Sequence, residues 1–395
     1  MTGTMRRNLL LLAACQALGQ AANTMMFAAT ALSVGTFLGA RDLATLPITI
    51  QHVGVMLSVF PTALLMQRKG RRFGFRLGSM LGMCGAAICG TGLVLGSLAV
   101  MCLGGFVLGY AVANLQMYRF AAVELVPGPL KAKAISWVTA GGILAGVIGP
   151  GLVRLTFDQM APIYLATYAS MFVVHVLVFT IMSFIAFPPP REPETVEGPQ
   201  RPLIEIAMQP TFIVAVASAM VAFGTMSFLM SASPLAIVGC GLPQTEAHFV
   251  IFLHVMGMFV PSLFTGNLIG RYGVLNVMMA GAVILALAVL PAMAGEGAWN
   301  FRIALTLTGV GWNFLFVGAT TLVTTTYRPS ERGKAQALND FLMFGTTASS
   351  SFLAAFLLDR YGWFTLNAIA LVLIAIALVS VAWMRFQQRD TPAGA

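Results

Sequence analysis

Runs of about twenty apolar residues, nearly free of charge and separated by short polar breaks, recur along this chain from residue 8 to residue 386. A helix needs roughly 20 such residues to cross a bilayer core, and inside that core the backbone must satisfy its own hydrogen bonds, which a helix does within one segment. Each run is therefore read as a spanning α-helix. Composition agrees: 58% of the 395 residues are hydrophobic and 9% are charged, against about 25% charged in soluble domains. The expected class is an all-α integral membrane protein with twelve transmembrane helices, over residues 8–36, 45–66, 74–95, 98–123, 132–155, 161–187, 210–238, 244–268, 274–294, 300–326, 334–357 and 362–385. The opening "MRRNLLLLAAC" mimics a signal peptide, but its apolar run is too long and has no clear cleavage site, so it is read as a retained helix.

In a soluble protein a net charge of +9 would suggest a nucleic-acid or surface-binding role; here its distribution sets topology. With the N-terminus cytoplasmic, Arg6, Arg7, the cluster Arg68, Lys69, Arg71, Arg72 and Arg76, then Lys131, Lys133, Arg191, Arg201, Arg271, Arg328, Arg332, Lys334, Arg385 and Arg389 all face the cytoplasm, 17 of the 22 basic residues. Both termini are expected there, in a multi-pass membrane protein whose surroundings are lipid and not nucleic acid. The five cysteines show no disulfide spacing.

The polar stretch "PPPREPETVEGPQRPLIE" (188–205) divides six spans from six, giving an N-terminal bundle (1–187), a cytoplasmic linker (188–209) and a C-terminal bundle (210–395). The halves repeat. Thr24, Met25 and Phe27 match Thr225, Met226 and Phe228; His52 and Met56 match His254 and Met258; Lys133 and Ala134 match Lys334 and Ala335; "QRKGRRFGF" after the second span corresponds to "GRYG" after the eighth. Parallel six-helix repeats are a transporter arrangement. "QRKGRRFG" resembles the loop motif of the major facilitator superfamily, with Arg68, Gly70, Arg71 and Arg72 in place and Arg271 in the second copy; it departs at Gln67, where an Asp is usual. "AGVIGPGLV" in the fifth span resembles that superfamily's antiporter Gly-Pro motif. The resemblance implies two pseudo-symmetric six-helix bundles, with spans 1, 4, 7 and 10 lining a cavity, spans 3, 6, 9 and 12 facing lipid, and the loop arginines serving a cytoplasmic gate.

In the seventh span Met226 and Met230 are four residues apart, and in the eighth His254 and Met258 repeat the spacing. Residues at i and i+4 share a helix face, so each pair can clamp one ion or simply pack. Thioether and imidazole are soft or borderline ligands that suit Cu(I), while Met is also ordinary core filler. A histidine at membrane depth suggests function, with a bond to a neighbouring carbonyl as the alternative. MxxxM followed by HxxxM resembles the CcoA-type bacterial copper importers, which serve cbb3-type cytochrome oxidase assembly. That resemblance implies Met226, Met230, His254 and Met258 as copper ligands, copper as transported substrate with no tightly bound cofactor, and cytoplasmic copper chaperones as recipients from a monomeric carrier. Cys240, His52, Met56, Met25, Met26 and His248 are candidates for an extended relay, each weighed against packing.

Asp340, about seven residues into the eleventh span, is either a proton relay or a latch to a neighbouring Arg or Lys. Asn114, Gln116, Tyr118, Trp312, Asn313 and Asn339 are further polar groups at membrane depth, Arg119 and Glu124 lie toward the gate, and His175 is expected on the lipid side as a structural residue. No P-loop, HExxH, GxSxG or CxxC is present, which excludes ATP-driven transport within this chain and argues against an enzyme. The expected function is copper import by alternating access. The competing readings are a proton-coupled exporter of drugs or small metabolites and an oxidase-assembly partner that does not transport.

Overall fold

The computed structural model describes residues 3–127, 134, 137–138, 140–188 and 201–390. Lys131, Lys133, Arg191 and most of the linker lie outside the described residues, as do the side chains of Arg332 and Arg389. Among the described residues all regular structure is helical. The elements are α1 (Gly3–Leu32, continued by a π-helical turn, Ser33–Phe37), α2 (Leu46–Lys69), α3 (Arg71–Val94), α4 (Leu98–Gln116), α5 (Tyr118–Glu124), α6 (Gly141–Thr156), α7 (Leu165–Phe184), α8 (Leu203–Ala207), α9 (Pro210–Gly239), α10 (Gln244–Phe259), α11 (Ser262–Tyr272), α12 (Val274–Ala294), α13 (Ala298–Val323) and α14 (Arg332–Asp390). Ten helices among these residues are long and apolar enough to span a membrane, the last running from Gly333 to Gln387, and α6 is a shorter apolar helix. α14 is broken at Gly362 (φ 77°, ψ 175°) into two spans. Nine single spans, this double one and α6 make up twelve.

The chain forms two compact units, Met1–Glu194 with Ile237–Phe252, and Thr195–Ala236 with Leu253–Ala395. The last residues of α9 and the first turns of α10 thus belong to the first unit. The reason is local: the Tyr164 hydroxyl, ahead of α7, donates to Gln244 Oε1 (3.2 Å) and lies 3.4 Å from His248 Nε2.

In the first unit α2 crosses α4 with backbone against backbone. A Cβ on Gly54 would stand 2.4 Å from the Phe106 carbonyl oxygen, and one on Gly109 2.4 Å from that of Gln51. Small residues at such crossings replace the hydrophobic drive that lipid removes. In the same unit Leu9, Leu12, Phe75, Leu115 and Tyr118 form a core, with the Phe75 and Tyr118 rings edge to face at 4.8 Å.

The second unit repeats the crossing with α10 against α13. A Cβ on Gly257 would meet the Thr306 oxygen at 2.5 Å, and one on Gly309 the His254 oxygen at 2.3 Å. The repeat also fixes the tight turns: Gly70 between α2 and α3 (φ 86°, ψ 159°) and Gly273 between α11 and α12 (φ 85°, ψ 152°) take one conformation, reached without strain only by glycine. Between α10 and α11, Pro261 lacks the N–H that would continue the helix. Beside this break the Met258 carbonyl accepts from Asn313 Nδ2 at 2.7 Å, which also contacts Ser262 Oγ at 2.5 Å, while Thr265 donates to Asn313 Oδ1 at 2.6 Å. Asn313 is therefore a staple for a broken span, as buried non-helical backbone at membrane depth requires.

Candidate functional site

The glycine crossing between α10 and α13 determines what His254 can do. With the helices this close, its Nδ1 reaches the Leu305 carbonyl at 2.8 Å and must donate to it. In the neutral ring Nε2 is then an acceptor, and among the described residues it has no hydrogen-bond partner although His254 is fully buried. Half of the imidazole is structural and half is unused. Met226, Met230 and Met258 are also buried in the second unit.

The sequence repeat pairs His254 with His52, but the structure shifts that register by one residue. Gly309 abuts the His254 carbonyl as Gly109 abuts that of Gln51, and Gly257 has the contact that Gly54 has. Gln51 is thus the counterpart of His254. One residue turns a helix by about 100°, so His52 projects elsewhere: its ring sits 5.7 Å from that of Phe27, and Met56 beyond it is half-buried. Met25 and Met26 are fully buried, and the Met26 sulfur accepts from the Thr30 hydroxyl at 3.1 Å.

Gln51 Nε2 donates to Asn23 Oδ1 at 3.4 Å, and its Oε1 has no partner among the described residues. Both residues line a narrow pocket with Ser79, Tyr118 and His175, of a size for water. His175 was expected to face lipid. It is buried against α3, where a Cβ on Gly82 would come within 2.4 Å of its ring, so an all-glycine stripe on α3 draws it inward.

The remaining candidates make these local contacts. His248 is enclosed by the rings of Phe157 (5.5 Å) and Tyr164 (6.2 Å), and Cys240 sits half-buried in the turn after α9. Arg71 forms an ion pair with Glu124 at 2.7 Å, supplying a carboxylate partner that Gln67 does not offer. Arg72 donates to the Ile185 carbonyl at 2.7 Å, Arg68 is exposed, and Arg271 lies over the Tyr272 ring at 5.3 Å. Asp340 is half-buried and accepts from Asn339 Nδ2 at 3.0 Å.

The feature the sequence reading missed is aromatic. In the second unit Phe223 of α9 meets Trp312 (5.2 Å), Phe316 (4.8 Å) and Phe344 (6.1 Å) edge to face, and Trp312 stacks on Phe316 at 5.0 Å and 23°. Phe223 and Phe316 stay partly exposed; Trp312 is 6% exposed and its Nε1 has no hydrogen-bond partner among the described residues. Trp312 and Phe316 are at i and i+4, and Phe223 and Met230 are seven apart on one face of α9. That spacing was visible in the sequence, but 28 phenylalanines in an apolar chain hide three that meet.

A sequence model of the Major Facilitator Superfamily matches residues 9–239 and 215–395. The chain is 38% identical over 381 residues to the riboflavin transporter RfnT of Brucella anthropi, covering 95% of this chain and 94% of that protein. It is 25% and 26% identical to two uncharacterised MFS-type transporters of Bacillus subtilis, YddS (89% of this chain, 85% of that one) and YdeG (96% and 92%). In fold it is similar to a point mutant of the nucleoside transporter NupG, with TM-score 0.74 and 11% identity over 97% of this chain and all of that one. The similarity to a riboflavin transporter along nearly the whole length overturns the expected copper import and its link to cytochrome oxidase assembly. MxxxM with HxxxM is four residues in a methionine-rich chain, too few to outweigh 381 aligned positions. The chain belongs to the Major Facilitator Superfamily and is a multi-pass membrane protein.

Proposed function

We propose that this Major Facilitator Superfamily chain carries riboflavin, or a metabolite of the same flavin class, across a bacterial inner membrane by alternating access, with both termini cytoplasmic and no enzymatic step. The observation that carries this reading is the 38% identity to a riboflavin transporter over 95% of the chain. Its chemical support is the aromatic group in the second unit, since a flat ring system gains dispersion and stacking energy from such side chains. The orientation rests on the cytoplasmic excess of Arg and Lys.

With no nucleotide-binding motif in the chain, accumulation against a riboflavin gradient has to draw on another gradient. We assign Asp340, a carboxylate half-buried in α14, to proton linkage, because an ionisable group inside a span is functional by default. The test is uptake of labelled riboflavin by a bacterium that lacks its own riboflavin synthesis and uptake. Accumulation that unlabelled riboflavin competes away supports the reading; uptake equal to that of vector-only cells refutes it.

A further inference from the structure

We propose that the cleft between α11, α12 and α13 holds a phospholipid with an anionic headgroup, its phosphate against Arg271 and one acyl chain between the helices. The cleft encloses about 300 Å³, the lower end of the range for ligand sites. Leu268, Val277, Ala280 and Phe314 form its apolar wall, and Tyr272 and Asn276 its polar rim, at the turn where both spans leave the bilayer. Asn276 is held at the rim by its Nδ2, which donates to the Tyr272 carbonyl at 2.7 Å. The Arg271 guanidinium lies over the Tyr272 ring at 5.3 Å, so a positive charge stands at the mouth. All these residues belong to the second unit, and the site is independent of the substrate carried.

Bulk lipid covers any exposed face of a span, but two observations set this cleft apart. The first is its difference from the other repeat. Counted from the equivalent turn glycines Gly70 and Gly273, Asn276 stands where the first repeat has Phe73, and Ala280 where it has Leu77. Phe73 is capped by its own chain, with Lys69 Nζ 5.0 Å above the ring; the smaller side chains of the second repeat leave room for an occupant. The second observation is charge. Arg271 is the only charged residue between Glu246 and Glu296, and neither ion pair among the described residues includes it. Its neighbours in the first repeat are engaged, Arg71 by Glu124 and Arg72 by the Ile185 carbonyl. A basic residue beside an apolar cleft at the membrane surface attracts an anionic headgroup. A zwitterionic headgroup brings its own cation to the same place, so the site favours net negative lipid. A second copy of this chain fits less well, because an isologous contact would bring two Arg271 side chains to one depth at one interface.

The test places full-length purified protein in phosphatidylcholine nanodiscs with a trace of phosphatidylglycerol, or of phosphatidylcholine, that carries a photoactivatable group on one acyl chain. Labelled peptides are then quantified by mass spectrometry. In wild type the segment 268–280 should be labelled about fivefold more from phosphatidylglycerol than from phosphatidylcholine, the scale of one basic residue at an anionic surface. Leu290, exposed further along α12, reports bulk lipid and should label equally from both. Arg271→Gln should make the two lipids equal in the cleft. Asn276→Phe and Ala280→Phe, which fill the cleft, should each reduce its labelling to the level at Leu290. Equal labelling of the wild-type cleft by both lipids overturns the inference, as does a phosphatidylglycerol preference that survives Arg271→Gln or cleft labelling unchanged in both Phe variants. A crosslink between two copies through 268–280 in place of lipid also overturns it. Asn276 and Ala280 are exposed in the second unit, so the Phe variants should fold; if they do not, the comparison of wild type with Arg271→Gln decides.

Discussion

Gly309 shows how one residue controls the second unit. A methyl there would stand 2.3 Å from the His254 carbonyl oxygen, so Gly309→Ala forces α10 and α13 apart and lengthens the His254–Leu305 bond. Overpacking of this kind costs about 1–3 kcal/mol, and the detergent-solubilised protein should show a clearly lower Tm by thermal-shift assay; Gly151→Ala, where nothing lies within 4 Å, should not. Asp340→Asn gives a second residue-scale outcome. In proteoliposomes it should retain exchange of internal for external riboflavin yet lose accumulation driven by an imposed pH gradient. The sequence made His254 legible as a costly imidazole at depth, but not its partner. That partner is a backbone carbonyl 51 residues away, which no side-chain pattern encodes, and the apparent His52 match misled because a one-residue register error looks like a repeat on paper and turns a helix by about 100°.

At the scale of elements, the start of α8 is tied to the turn before α14. Arg201 donates from its backbone N (2.9 Å), Nε (3.0 Å) and Nη2 (2.7 Å) to the carboxylate of Glu331, which is fully buried. Its Nη2 also reaches the Thr326 carbonyl (3.1 Å), and Lys334 Nζ donates to the Arg201 carbonyl. Hydrogen bonds from Arg201 hold the Glu331 carboxyl well below the usual carboxylate range. A folded-state value below the unfolded one, about 4.3, gives a contribution complete above that unfolded value and lost only as pH falls through the folded one. Thermal melts of wild type and Glu331→Gln should therefore differ by a constant amount from pH 8 to pH 5, with the gap closing only on stronger acidification. A gap that already shrinks between pH 7 and pH 5 would contradict this assignment. The spans themselves were legible because twenty apolar residues permit little else. The break at Pro261 was not, since its repair by Asn313 needs α13 alongside α10 and α11.

For the whole molecule, two six-helix repeats were legible from the linker and from matched residues in the two halves, Gly70 and Gly273 among them, which have to be glycine. Substrate was not. Soft side chains in a spanning helix pack, stack or ligate with the same residues, and in this chain thioethers suggested a metal while the rings beside them went unnoticed. The most direct measurement is competitive uptake of labelled riboflavin into a riboflavin-auxotrophic, uptake-deficient bacterium expressing this chain, with copper content followed in the same cells. The account predicts saturable riboflavin accumulation, abolished by excess unlabelled riboflavin, with cellular copper unchanged from vector-only cells. Riboflavin uptake at the vector-only level, with copper content raised by expression, would contradict it.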